Sequence, residues 1–296
     1  MRPLLLLVAF LLLTGAAPAG EPPSLRWGAE GHEMIGLVAA ENLPEEMPAF
    51  FRAAAAQLSY LNPEPDRWRN RRERDLDPAM DAAFGPDHYI NFEIIPEGAL
   101  LARSRYAYLD TLSAHGVALP GPGLLPWRIL EITQRLRVGF RQWREAESDE
   151  QRGWIEARII NDAGILGHYV ADGSNPHHTT IHHNGWVGEN PRGFTAERGF
   201  HGRFESIYVR ENITTDDVRS GVYNGEQVFQ DVREATWQFL ATSNGLVERL
   251  YELDLDEPFG AETQGVEHRA FAIDRLAAGA EMLRDLWWTA WMSSEW

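Results

Sequence analysis

The chain contains no cysteine and no lysine among its 296 residues. Without cysteine it cannot form disulfide bonds, thiolate metal sites or a thiol nucleophile. Without lysine it cannot form a Schiff base or carry the lysine of a phosphate-binding P-loop. All 27 basic side chains are therefore arginines, and any metal site must be built from imidazole, carboxylate and backbone groups.

Basic residues are also fewer than acidic ones, 27 against 44, and the formal net charge is −17. Such a charge argues against nonspecific attraction to the long phosphate backbones of nucleic acids. Some of the excess carboxylates are expected to collect metal cations instead. The ten histidines are consequently the first residues to consider as ligands.

Long apolar runs are scarce, and the clearest one stands at the amino terminus. Residues 4–13 are apolar, follow Arg2 and precede the small residues Ala17-Pro18-Ala19. This order is typical of a signal peptide, and the run is too short to span a bilayer, which needs about 20 residues. We predict a signal peptide over residues 1–19, a short spacer or propeptide over 20–26, and a secreted or periplasmic domain over 27–296 without a transmembrane segment. An uncleaved anchor is the alternative.

Apolar residues recur at helical spacing through most of the chain. Between Trp154 and Val170 they follow steps of three and four, which predicts a helix with one buried face. Similar patterns follow His32 and cover residues 129–143 and 270–291, and no convincing set of alternating strands is present. We predict an all-α fold, a single multi-helix domain with a long irregular segment over residues 62–86, a proline- and glycine-rich hinge over 120–126 and a long loop over 174–200.

Two segments allow either a structural or an interfacial interpretation. The tryptophans of the closing helix, at 287, 288 and 291, are predicted to lie in the core rather than to anchor the chain to a membrane. Five arginines lie between Arg67 and Arg74. They could grip phosphate groups, or they could belong to a solvated loop, because acidic residues are mixed with them.

Two pairs of histidine and acid stand four residues apart. His168 precedes Asp172 at the end of a predicted helix, and His201 precedes Glu205. Side chains at i and i+4 leave the same face of a helix, so each pair directs one nitrogen and one oxygen ligand to one point. Pro176 prevents simple continuation of the helix, so the following turn can return a loop histidine to that point. Exposed hydrogen-bonded pairs and zinc ligands both have this spacing.

These residues belong to an order along the chain that resembles a known family. The order is Trp27, His32, an aspartate, His88, the stretch 168–178 and the stretch 200–205. It resembles the zinc-dependent phospholipase C family, which shares a superfamily with the single-strand-specific nucleases. The resemblance implies an all-α fold with three zinc ions in a cleft and hydrolysis of phosphodiesters.

The resemblance also implies which residues hold each ion. The first zinc ion would be held by Asp66, His88, His168 and Asp172, the second by His178, His201 and Glu205, and the third by Trp27, His32 and a bridging Asp172. Trp27 would bind through its amino and carbonyl groups, which requires a cleavage that frees its amine. Asp66 would also orient or deprotonate the attacking water.

The sequence offers alternatives for two of these ligands. Between Asp66 and His88 lie four more aspartates, at positions 75, 77, 81 and 87, and His177 stands beside His178. Asp66 fits the spacing best, and the gap of five residues after Asp172 favours His178. Two further histidines, at 182 and 183, are predicted to face substrate or solvent from the loop over the cleft.

We therefore expect an exported phosphodiesterase with up to three zinc ions that hydrolyses phospholipids by metal-activated water. Glu205, where an aspartate could stand, favours the phospholipase C branch, and the net charge disfavours a polyanionic substrate. A single-strand-specific nuclease is the first alternative, and base-stacking aromatics in the cleft would distinguish it. A metal-stabilised helical binding module with coordinatively closed sites is the second. No protein partner is evident.

Overall fold

A computed structural model describes residues 28–295, so the predicted signal peptide, the spacer and Trp27 lie outside the described residues. The prediction of an all-α fold is confirmed, because residues 28–295 form helices and contain only two isolated bridges in place of β-strands. The α-helices are α1 (Ala29–Glu41), α2 (Ala49–Arg52), α3 (Ala55–Leu61), α4 (Glu64–Arg67), α5 (Arg71–Leu76), α6 (Pro78–Phe84), α7 (Glu97–Leu100), α8 (Arg105–Ala114), α9 (Leu125–Arg144), α10 (Asp149–Ser174), α11 (Phe200–Gly202), α12 (Val209–Asn212), α13 (Thr215–Gly221), α14 (Val232–Asn244), α15 (Val247–Asp256) and α16 (Val266–Met292). Short 3₁₀ turns cover Gly85–His88, Phe92–Ile94, Pro176–Thr179 and Ser293–Glu295, and a π-helical turn covers Arg203–Tyr208.

Helix α10 is the centre of the fold. It packs against α9, α16, α3 and α1. Every residue from Asp162 to Ser174 is buried, so the second half of the helix is enclosed on all sides. The apolar face predicted from the spacing of residues 154–170 is buried as expected. Because apolar neighbours surround this helix, polar side chains at its carboxyl-terminal end are held away from solvent.

Two small residues of α10 let another segment approach the helix closely. A Cβ atom at Gly164 would lie 2.3 Å from Cβ of Leu61, and one at Gly167 would lie 2.4 Å from Nδ2 of Asn62. A larger residue at either position would displace the end of α3. Gly167 thereby leaves room for the side chain of Asn62, which reaches His32 of α1.

The tryptophans of α16 lie in the core, as predicted. Trp287 packs edge-on against Phe51 at 5.3 Å between ring centroids, and Trp291 packs against Phe140 at 5.5 Å. These rings join α16 to α2 and α9. None of the described helices has the length and apolarity needed to cross a bilayer.

The structure differs from the prediction of a long irregular segment over residues 62–86. That segment contains the short helices α4, α5 and α6. Asn70 accepts hydrogen bonds from the backbone N–H groups of Arg72 and Glu73, and Asp77 caps α6 in the same way. Polar caps compensate for the absence of a buried apolar face, which is why helical periodicity does not reveal these helices. The predicted loop over residues 174–200 is present, apart from the single turn at Pro176–Thr179.

Candidate metal centre

Eight of the nine predicted metal ligands lie within the described chain, and the structure brings all eight together at the carboxyl-terminal end of α10. Trp27 lies outside the described residues. The eight side chains form three groups, two of which share His168, and in each group the potential ligand atoms lie within 4.8 Å of one another. The His32 group is His32, His168 and Asp172; the Asp66 group is Asp66, His88 and His168; the Glu205 group is His178, His201 and Glu205.

Helix α10 supplies His168, which two of the groups share, and Asp172 of the His32 group. His168 and Asp172 are fully buried, and His168 Nε2 lies 3.3 Å from Asp172 Oδ2. Helix α1 brings His32 against them, with its ring stacked on that of His168 at 4.2 Å between centroids. The prediction that the i and i+4 side chains point to one place therefore agrees with the geometry.

The Asp66 group lies between α4, α10 and the 3₁₀ turn at residues 85–88. His88 Nδ1 lies 3.0 Å from His168 Nε2 and 3.0 Å from Asp172 Oδ2. Asp66 Oδ1 lies 3.9 Å from the facing nitrogens of both histidines. The Asp66 side chain is 25% exposed whereas His168 is fully buried, so this group opens to solvent at Asp66.

The other aspartates of this segment that could compete with Asp66 are engaged elsewhere. Asp87 faces Arg128 and Arg105 at 3.9 and 4.0 Å, and its pKa is raised by burial. Asp75 is exposed beside Arg71, and Asp77 caps α6. The side chain of Asp81 lies outside the described side chains. Among the described candidates, Asp66 is the aspartate that joins the histidines.

The Glu205 group forms where the chain turns back after α10. The helix ends at Ser174, and the turn at Pro176–Thr179 returns His178 toward Asp172. His178 Nε2 lies 3.2 Å from His201 Nε2, and His201 Nε2 lies 2.8 Å from Glu205 Oε2. The turn after Pro176 therefore brings a loop histidine to the site, as the sequence predicts, and that histidine is His178.

Asp172 lies at the point where the three groups meet. Its Oδ2 atom faces His88 and His168. Its Oδ1 atom lies 3.7 Å from His32 Nε2 and 3.5 Å from His178 Nδ1. One buried carboxylate thus lies within 3.7 Å of a histidine nitrogen from each of the three groups. Its contacts with His32, His88 and His168 are the arrangement of a ligand that bridges the His32 and Asp66 groups.

Hydrogen bonds from outside the groups orient their histidines. His32 Nδ1 donates to Asn62 Oδ1 at 3.0 Å, and His178 Nδ1 donates to the carbonyl of His88 at 2.7 Å. Because each Nδ1 carries the proton, each Nε2 presents a lone pair. Asn175 Nδ2 likewise donates to Glu205 Oε2 at 3.0 Å. Neither Asn62 nor Asn175 is predictable from the sequence, because an isolated asparagine beside a proline has no spacing typical of a ligand.

The electrostatics of the groups follow from burial. Burial, aided by the nearby His168, lowers the pKa of His32 to about 3 and keeps its imidazole neutral. Burial also raises the pKa of Glu205 to about 8. Burial opposes ionisation of Asp172 too, but attraction to His178 and His168 when these are protonated, together with hydrogen bonds from His168 and His88, lowers the Asp172 pKa well below its ordinary value. The site thus contains one carboxylate held as an anion and one that is neutral until a cation approaches.

The donor atoms fit a metal ion. His32 Nε2, Asp172 Oδ1 and Glu205 Oε1 are buried and have no hydrogen-bond partner within residues 28–295. A buried polar atom without a partner costs about 1–3 kcal/mol, so three at one place call for a ligand. Imidazole nitrogens and carboxylate oxygens are donors that divalent metals accept. The three groups could therefore bind metal ions.

The remaining histidines of the loop lie outside the three groups. His177 is buried edge-on against Phe200 at 4.7 Å between centroids, so it packs beside the centre without joining a group. His182 stacks on Trp186 at 3.9 Å between ring centroids.

A scan of known protein families and a search of curated proteins find no match to this chain. A function must therefore be argued from these residues and their geometry.

Proposed function

We propose that this protein is a zinc-dependent phosphodiesterase of the phospholipase C type. The observation that carries the proposal is the position of Asp172, a buried carboxylate whose two oxygens face four histidines of three ligand groups. A coordinatively closed structural site would need only one group of four ligands. Several adjoining groups around one carboxylate favour a multinuclear hydrolytic centre.

Zinc is the metal that the donor set favours. The ligands are imidazoles and carboxylates, and the chain has no thiolate to offer. Asp66, His88, His168 and Asp172 would hold one ion, and the Glu205 group would supply three ligands to a second, leaving a position open. His32 and Asp172 would hold a third ion, which Trp27 would complete if it is the mature amino terminus. The N–H group of Gly28, the next residue in the sequence, donates to the Glu205 carbonyl at 3.3 Å, which supports this role.

The carboxylates of the centre would have different roles in the reaction. Bound zinc supplies Lewis-acid activation of a water molecule and of the phosphate oxygens. Asp66, the partly exposed carboxylate of the centre, would accept the proton of the attacking water. Asp172 and Glu205, both fully buried, would balance the positive charge of the ions in a region of low dielectric.

The net charge of the protein supports a phospholipid rather than a polyanionic substrate. A chain with a formal charge of −17 repels long phosphate backbones, whereas a single lipid headgroup carries little charge.

One observation favours the second candidate, a single-strand-specific nuclease. Trp68 stands two residues after Asp66, its side chain is 40% exposed, and its Nε1 donates to Glu64, so its ring could stack on a base.

We also propose that residues 1–19 direct export, because their charged, apolar and small-residue regions follow the order of a signal peptide. Amino-terminal sequencing of the mature protein tests both this cleavage and the release of Trp27. A mature chain that still begins at Met1 would contradict the export proposal.

The test of the activity is a parallel assay on phosphatidylcholine, single-stranded DNA and a synthetic bis-aryl phosphate, with metal analysis of the same sample. We expect two to three zinc ions per chain, hydrolysis of the phospholipid and of the synthetic diester, and loss of both in Asp172→Asn. The matched control is His115→Ala, because His115 is exposed and bonds only to backbone of its own helix turn. Absence of bound metal would contradict the proposal, and hydrolysis of DNA alone would favour the nuclease.

A further inference from the structure

We propose that residues 68–84 dock this protein onto a phospholipid surface at the opening of the metal centre. We call these residues the docking hairpin; it contains α5 and α6. The choice of a phospholipid surface rests on the proposed function, but the exposure, charge and position of the hairpin do not.

The docking hairpin gives almost nothing to the core. Every residue from Asn70 to Phe84 whose side chain is described is exposed. The two helices are held by their own caps, Asn70 for α5 and Asp77 for α6. A segment that spans fifteen positions without burying a described side chain adds little to the stability of the fold, so its composition is free to serve an external contact.

The hairpin exposes apolar side chains that the caps do not require. Leu76 is 73% exposed, Met80 is 58% exposed and Phe84 is 43% exposed. Met80 and Phe84 stand four residues apart on α6, so they share one face of that helix. Trp68, at the start of the hairpin, is also exposed. Aliphatic and aromatic residues together suit the boundary between headgroups and acyl chains, whereas binding of single-stranded nucleic acid relies on aromatic rings.

The first half of the same segment is rich in arginine, although the chain as a whole is acidic. Residues 68–74 contain four arginines, at 69, 71, 72 and 74, and one acid, Glu73, whereas Asp75, Asp77 and Asp81 follow in the second half and make the whole hairpin formally neutral. The next two acids are engaged within the hairpin, since Asp75 faces Arg71 at 3.9 Å and Asp77 caps α6. Guanidinium groups bind phosphate oxygens well, so the arginine-rich half of the hairpin complements a layer of lipid phosphates.

The position of the hairpin connects docking with hydrolysis. It begins two residues after Asp66 and ends four residues before His88, and both of these belong to the Asp66 group. Asp66 is also where that group opens to solvent. A surface held by the hairpin would therefore lie next to the open side of the centre.

The test compares two triple variants with the unaltered zinc-loaded protein. One variant carries Leu76→Ser, Met80→Ser and Phe84→Ser, and the other carries Arg71→Gln, Arg72→Gln and Arg74→Gln. The control carries Tyr223→Ser and Leu255→Ser, which are 72% and 56% exposed in other parts of the chain. Binding is measured by co-sedimentation with vesicles of phosphatidylcholine and phosphatidylglycerol. We also measure the ratio of vesicle hydrolysis to hydrolysis of the soluble bis-aryl phosphate.

We expect each triple variant to lose about 10-fold or more in vesicle binding and a similar factor in the activity ratio, and the control to match the unaltered protein. Equal vesicle binding by all four proteins overturns docking through the hairpin, even if the soluble diester is hydrolysed. Loss of single-stranded DNA binding or of self-association in place of vesicle binding overturns the choice of a membrane. Hairpin-dependent vesicle binding without hydrolysis of any diester upholds the docking and refutes the proposed function.

Discussion

The Nε2 atoms of His178 and His201 face each other at 3.2 Å, although His178 already donates through Nδ1 to the carbonyl of His88. A neutral imidazole carries one N–H group, so Nε2 of His178 presents a lone pair. Oε2 of Glu205 lies 2.8 Å from His201 Nε2 at the same point. A cation among these atoms would be bound by the two imidazole nitrogens and the carboxylate oxygen together.

Sharing of ligands predicts unequal losses of metal. His168 belongs to two groups and His201 to one. We therefore expect His168→Ala to remove more zinc per chain than His201→Ala does, and both to lower phosphodiester hydrolysis by at least about 100-fold. Metal analysis after exhaustive dialysis measures the zinc, and His115→Ala serves as the control. Equal zinc content in the two ligand variants would contradict the shared role of His168.

Asn62 is predicted to set the orientation of His32. It is fully buried and accepts the hydrogen bond from His32 Nδ1, leaving Nε2 toward Asp172. Asn62→Ala should weaken binding of the ion held by His32 and Asp172 by about 10- to 100-fold, the range for loss of an orienting partner. Asn62→Asp keeps the acceptor oxygen and should retain more of the affinity. The measurement is zinc titration of folded protein, and identical affinities in both variants would refute the positioning role.

The raised pKa of Glu205 predicts release of a proton on metal binding. With a pKa of about 8, this carboxyl is protonated in the metal-free protein below about pH 8 and must lose its proton to become a ligand. Zinc affinity of the Glu205 group should therefore increase with pH until about pH 8 and then level off. Calorimetry in buffers of different ionisation enthalpy should detect about one proton per ion below that pH.

The matched variant for this prediction is Glu205→Gln. It keeps the size of the side chain and removes the titrating group, so the proton release should disappear along with part of the affinity. Unchanged proton release in Glu205→Gln would assign the proton to another group.

Metal removal is predicted to destabilise the protein. An ion that binds only the folded state contributes about 2.7 kcal/mol when its free concentration is about 100 times Kd. Chelation of several ions should therefore lower Tm by at least about 5 °C in a chain of this length. Differential scanning calorimetry with and without chelator measures the difference, and restoration of zinc provides the control. A Tm that does not respond to chelator would show that the buried donors are satisfied without metal.

Much of the fold follows from local pattern. The steps of three and four between residues 154 and 170 predict the buried face of α10, because helical periodicity depends only on neighbours along the chain. The helix begins earlier than that pattern, since Ser148 caps it and its first turn is exposed. The helices α5 and α6 of the docking hairpin are not predicted from periodicity either, because they are stabilised by caps rather than by an apolar face.

The sequence by itself determined the chemistry of the donors, the two pairs spaced four residues apart on helices, and the turn after α10 that Pro176 enforces. Only the tertiary structure decided which aspartate joins His88, that His178 rather than His177 enters a group, and that Asn62 orients His32. The physical reason is the distance along the chain over which each relationship acts. Helix geometry fixes side chains one turn apart, whereas the approach of α1, α4 and the 3₁₀ turn at residues 85–88 to α10 depends on packing of the whole core.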